Sequence, residues 1–206
     1  NMENIHFYDA EITSTNGNAG SLAASVEIVA SGFDKPYLNI NNVFDSSYIR
    51  GYKSSGYIGY IDDSYLSGSG IMLGVKLTNF HFVTILDPYD EEYADNLMHS
   101  PIIGGVYGNV GVELSNYMIN SIFADVDYFG NFAYYKSNYA IGYYDRATSN
   151  NVSVGKTNGY FVTKFDNEFN ANTYVGADEL KDMSLYSAWT DFETYWVIST
   201  ADGIQR

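Results

Sequence analysis

Cysteine is absent from the 206 residues. Its absence excludes disulfides, thiolate catalysis and cysteine-ligated zinc, and leaves the compartment open. Basic residues are few: 10 Lys and Arg stand against 25 Asp and Glu, a formal net charge of −15. No basic patch is available to displace counterions from a nucleic acid or to hold an anionic membrane surface. The histidines are His6, His81 and His99. None lies in a His-Glu-x-x-His pattern, and no Gly-x-Ser-x-Gly elbow occurs. The chain also lacks a run of the ~20 apolar residues that a spanning helix needs, and it has no signal-peptide pattern. It opens on Asn1, which we read as the start of a piece cut from a longer protein, with any export signal or anchor outside it.

Proline is also scarce, with three, while tyrosine reaches 21 and glycine 19. Tyr, Val, Ile and Phe favour strands, whereas Asn and Gly favour tight turns. A phrase built around asparagine recurs: LNINNVF at Asn42, VKLTNFHF at Asn79 and VELSNYMI at Asn116, spaced 37 residues apart both times. Asn4 precedes the series by 38 residues and Asn138 follows it by 22. A glycine phrase alternates with it, at Gly20, Gly59, Gly104 with Gly105, and Gly130. A fixed interval of this length marks a repeat array, in which each unit needs neighbours to cover its apolar face.

The fold class that meets these demands is all-β: a right-handed parallel β-helix, or β-solenoid, with a short helical C-terminal segment. Recurrent Asn suits a left-handed bend and a side-chain ladder from one rung to the next. Recurrent Gly suits close backbone approach. An antiparallel β-sandwich is the alternative, since it also spaces strands regularly. Because 37 residues exceed one ordinary coil, each unit reads as one coil with long loops or as nearly two. The array is expected over 1–145, with an acidic insert at 87–99; 146–206 would hold a last coil and a capping segment. A strand is expected at 160–165. In the tail, Leu180, Met183, Leu185 and Tyr186 fall at helical spacing, with Gly176 as N-cap. Leu180, Leu185, Trp189, Phe192 and Trp196 are expected to pack onto the last coil.

These residues resemble the GLUG-repeat proteins of bacterial surfaces. The opening ENIHFYDAEITSTNGNAGSLAAS is similar to one unit of that family, and NYAIGYYDRATS at 138–149 to the phrase that closes its arrays, with Tyr144 where Trp is usual. ADELKDMSLYSAWTDFETYWVI at 177–198 resembles the family's ending. Glu179, Leu180, Lys181, Asp182, Tyr186, Trp189, Phe192, Trp196 and Ile198 stand on matching positions, while Thr190 splits the usual Trp-Asp pair. The Gly-Leu-x-Gly signature itself is degenerate. The resemblance implies a non-catalytic extracellular or cell-surface module that acts as a stalk, an adhesin, or a glycan- or protein-binding repeat domain.

A catalytic reading has little support, since His6 and His81 each follow a repeat asparagine by two residues and read as structural. The alternative is a carbohydrate-active β-helix enzyme, a polysaccharide lyase or glycosidase, which needs paired carboxylates. Asp62 with Asp63, or Asp125 with Asp127, would supply them. In the insert, Asp87, Asp90, Glu91, Glu92 and Asp95 read first as a solvated acidic loop, and calcium is the metal they would hold. No other cofactor is implied. Tyrosine density singles out Tyr52, Tyr57, Tyr60, Tyr134 and Tyr135. Such rings either bind a surface glycan or protein, or stack as rungs within the fold.

Overall fold

The computed structural model describes residues 1–27, 37–62, 73–88, 98–123, 141–144, 152–161, 179–189, 191–199 and 203–205. The chain is mostly β, arranged as three parallel sheets. Sheet A runs β1 (Met2–Phe7), β4 (Tyr37–Asp45), β7 (Leu73–Phe82), β11 (Val110–Ile119), β14 (Val152–Phe161). Sheet B runs β2 (Glu11–Ser14), β5 (Tyr48–Gly51), β8 (Ile85–Pro88), β12 (Ile122–Phe123). Sheet C starts with β3 (Asn18–Glu27) and β6 (Ser54–Asp62). Against β6 lie β9 (Met98–His99) and β10 (Ile103–Tyr107), and β13 (Ile141–Tyr144) follows β10.

The chain therefore visits A, B and C in turn and returns to A one strand further on. The pairing is parallel throughout these sheets, with Ile40 opposite Leu77 and Leu77 opposite Leu114. The antiparallel sandwich is thereby excluded. Among the described residues the antiparallel pair is β15 (Val197–Ser199) with β16 (Gly203–Gln205), in the tail. One 37-residue interval corresponds to one circuit of the three sheets. Backbone hydrogen bonds continue around the A–B corner, from Val83 N to Asp45 O and from Asn120 N to Phe82 O.

Each sheet A strand carries an asparagine in left-handed conformation: Asn4, Asn42, Asn79, Asn116 and Asn158, with φ between 51° and 60°. Asparagine reaches this region far more readily than a β-branched residue does. The bend reverses the inward–outward alternation. In β7, Val75 and Leu77 point inward before Asn79, and Phe80 and Phe82 after it. Strands β4 and β11 repeat the pattern with Ile40, Val43, Leu114, Tyr117 and Ile119. These side chains pack with Tyr57, Ile58, Ile61, Ile103 and Val106 of sheet C in one core. Phe80 stacks on Tyr117 with ring centres 5.4 Å apart.

Several expectations are corrected in detail. Gly20 pairs with Gly56, not Gly59, and a bulge between Gly20 and Ala23 then shifts the register by one. Gly59 lies so close to sheet neighbour β3 that an added Cβ would come within 2.5 Å of the Ala19 and Ala24 carbonyl oxygens. Asp87 and Pro88 belong to β8 and Met98 with His99 to β9, so the break in rhythm is shorter than 87–99. Beyond residue 145, β14 joins the same sheet and begins at Val152, eight residues before the expected strand. Asn138, Gly130 and Gly176 lie outside the described residues.

The tail forms two 3-10 turns, Glu179–Lys181 and Met183–Tyr186, then one helical turn, Phe192–Tyr195. Asp182 caps the second 3-10 turn by accepting from Ser184 N at 2.9 Å. Leu180, Tyr186, Trp189, Phe192 and Trp196 cluster with Met118, and Phe44 packs against them. The tail thus lies along the outer side of sheet A, across successive strands, and not on the last coil alone where the sequence placed it. The reason is the outward row Phe44, His81, Met118, which offers apolar and aromatic surface on three neighbouring strands. Among the described residues no helix is long and apolar enough to cross a membrane.

Candidate functional site

The line of asparagines divides the outer face of sheet A. Side-chain amides join it from strand to strand. Asn42 Nδ2 donates to Asn4 Oδ1 at 2.6 Å, Asn116 Nδ2 to Asn79 Oδ1 at 3.0 Å, and Asn158 Nδ2 to Asn116 Oδ1 at 3.4 Å. The ladder sidesteps once: Asn79 Nδ2 donates to Asn41 Oδ1 at 3.1 Å, and the buried Oδ1 of Asn42 has no hydrogen-bond partner.

Upstream of the line the face is open and polar. Strand register aligns three rows across the sheet: Tyr37, Gly74, Gly111 and Ser153; then Asn39, Lys76, Glu113 and Gly155; then Asn41, Thr78, Ser115 and Thr157. Thr78 Oγ1 lies 3.1 Å from Ser115 Oγ. Tyr37 is 60 % exposed, and a Cβ on Gly74 would run into its ring, so the ring rests on the glycine. Missing side chains at Gly74 and Gly111 leave a trough of about 420 Å³, flanked by Tyr37, Lys76, Glu113 and Ser153. A second trough of about 420 Å³ shares Lys76 and continues past Asn39, Asn41 and Thr78. An exposed aromatic plane beside alternating donors and acceptors suits a partner with both a flat apolar face and many hydroxyls.

Downstream of the line the face is closed by the tail. His81 is 4 % exposed; its ring centre is 5.6 Å from Phe44 and 6.5 Å from Trp196. Neither of its ring nitrogens has a hydrogen-bond partner. Burial lowers its pKa to about 3, so the ring is neutral.

The tyrosines singled out by density do not form one surface. Tyr57 is fully buried. Its ring packs at 4.9 Å from Phe82 and 6.3 Å from Phe7, and its hydroxyl has no hydrogen-bond partner. As a ligand contact it is ruled out by that burial. Tyr52, at the B–C corner, and Tyr60, on β6, are half-buried and belong to other sides of the fold than Tyr37. Tyr134 and Tyr135 lie outside the described residues.

Of the carboxylates in the acidic insert, Asp87 alone lies among the described residues. It pairs in register with Arg50, whose Nε lies 3.4 Å from its carboxylate, and it accepts from the Tyr48 hydroxyl. These contacts hold it within sheet B. Asp90, Glu91, Glu92 and Asp95 lie outside the described residues, as do Asp63, Asp125 and Asp127. Asp62 ends β6 and is half-buried. Among the described residues no cluster of three His, Asp or Glu side chains is placed to hold a metal.

Two interior polar groups escaped the sequence reading. His99 Nδ1 lies 2.6 Å from Ser55 Oγ, the atoms of a nucleophile–base pair. Both residues are buried, at 3 % and 0 % exposure. Burial lowers His99 to about 4. Asp45 takes an inward position that Phe7, Phe82 and Ile119 fill on other strands. It accepts from Ser21 Oγ, from Ser47 N at 3.0 Å and from Ser47 Oγ at 2.6 Å. Desolvation raises its pKa despite these bonds.

Sequence reasoning also missed Tyr37 and Asn158. Tyr37 follows Pro36 and belongs to no tyrosine cluster. Asn158 follows Asn116 by 42 residues, outside the 37-residue rhythm, although Thr157-Asn158 repeats the Thr78-Asn79 pair. No known protein family, curated protein or solved structure matches the chain.

Proposed function

We propose that this chain is a non-catalytic, carbohydrate-binding module of an extracellular bacterial surface protein, folded as a right-handed parallel β-helix. The cyclic order of the three sheets supports the helix reading. The resemblance to GLUG-repeat arrays, with a net charge of −15, supports the surface setting. The binding reading rests on one observation: the exposed Tyr37 ring lies on Gly74 at the head of a trough flanked by Lys76, Glu113 and Ser153. A pyranose stacks its C–H face on such a ring, and its hydroxyls take bonds from the polar rows beside it. Adjacent strands are ~4.8 Å apart, so the Tyr37-to-Ser153 row spans ~14 Å, long enough for more than one sugar unit.

A glycan array probed with the whole chain and with Tyr37→Ala tests this. The expected result is retention of a defined glycan set by the wild type and a loss of about tenfold or more in affinity for the variant, ~1.4 kcal/mol. Tyr37 is exposed, so the variant keeps its fold. Equal binding by both proteins would remove Tyr37 from the site. Release of shortened or unsaturated products from a polysaccharide would instead favour a carbohydrate-active enzyme.

A further inference from the structure

We propose that the tail, residues 179–199, is an acid-releasable cover over the outward row Phe44, His81 and Met118, and that His81 is the group whose protonation opens it. His81 lies between Phe44 and Trp196 and pairs in register with Met118. An imidazolium carries two N–H donors, and neither His81 nitrogen meets an acceptor here. Its charge would therefore be buried and uncompensated, which the structure relieves by lifting whatever covers the ring. The sheet beneath is held by a continuous parallel ladder. The tail meets the sheet through its apolar cluster, and the backbone bonds described for it run within it, such as Trp189 N to Tyr186 O and Trp196 N to Phe192 O, or to β16. The tail is the part that yields.

No described charge faces His81. On the sheet side its row neighbours are Phe44 and Met118. On the tail side Glu179, Lys181, Asp182, Asp191 and Glu193 are all exposed. The Tyr186 hydroxyl donates to Leu180 O at 2.8 Å, and burial raises its pKa, so it stays neutral. Burial is likewise the cause that lowers His81 to about 3 from its ordinary 6.5. A lowered histidine favours the closed state above the ordinary value and loses that contribution as pH falls toward the lowered one. The ratio of open to closed tail should then rise ~100-fold between neutral pH and pH ~4.5. Asp45 acts in the opposite sense. Its raised pKa makes the core more stable as pH falls toward the ordinary carboxylate range. His99, lowered to about 4 within the core, shares the sign of His81, so the variant must separate the two.

Both tryptophans of the chain, Trp189 and Trp196, are in the tail, so their fluorescence reports on it alone. The whole chain is taken from pH ~7.5 to ~4.5 while tryptophan emission, proteolysis within 179–199 and far-UV dichroism are followed. In the wild type, emission should shift to the red and tail cleavage should rise while the β signal holds. In His81→Phe the tail should stay closed over the same range. Should dichroism show His81→Phe misfolded, His81→Leu is read in its place, together with the wild-type His81 NMR titration, which must coincide with tryptophan exposure. Three results would each overturn the proposal: a tail that stays protected in the wild type, opening at the same pH in wild type and variant, or loss of tail and sheet in one transition.

Discussion

At the scale of single residues, the asparagines bear most of the pattern. Asn42, Asn79 and Asn116 are legible in the sequence because few residue types tolerate left-handed geometry, and a bend needed on every strand leaves a periodic trace. The amide pairing was not legible: Asn79 reaches Asn41 rather than Asn42, a choice set by a local shift that no spacing encodes. Asn79 contributes both its backbone geometry, φ 52°, and two amide bonds. Asn79→Ala should cost about 3–4 kcal/mol, combining left-handed strain of ~1–2 with two lost bonds near 1 each. Asn79→Gly removes the bonds without that steric strain and should cost roughly half as much. Urea denaturation of both checks this, and equal losses would mean that the bend, rather than the ladder, is immaterial.

At the scale of elements, what the sequence could not state was burial. Tyrosine density marks Tyr52, Tyr57 and Tyr60 alike, but Tyr57 is fully buried in the core while the other two are half-buried. Conversely, Tyr37 is isolated in sequence and becomes a platform only because Gly74 lies beside it on the next strand. The tail was legible as an amphipathic, tryptophan-rich segment. Its destination was not, because the row Phe44, His81, Met118 is assembled from three strands 37 residues apart. Trp196 is 5 % exposed and meets both His81 and Trp189. Trp196→Ala should weaken tail docking by ~3–5 kcal/mol. Sheet dichroism should be unchanged, and both tail opening and the His81 titration followed by NMR should move to higher pH than in the wild type, closer to the ordinary imidazole range. A His81 value that stays low would mean that something other than Trp196 buries the ring.

At the scale of the whole molecule, the 37-residue interval was legible and one circuit of three sheets accounts for it. The 42-residue step to Asn158 hid the fifth sheet A strand, since an interval lengthened by a few residues breaks the rhythm without breaking the pairing. Everything said of the open face depends on residues one circuit apart lying side by side. The absence of cysteine makes that directly measurable. Thr78 and Ser115 are register partners on β7 and β11, with hydroxyls 3.1 Å apart. Neighbouring strands at ~4.8 Å fall within the Cα range of a disulfide, while strands two apart, at ~9.6 Å, fall outside it. Mild oxidation should therefore close the Thr78→Cys/Ser115→Cys pair and leave Thr78→Cys/Thr157→Cys open. Failure of the first pair to close, or equal closure of both, would contradict the parallel stacking from which the site is built.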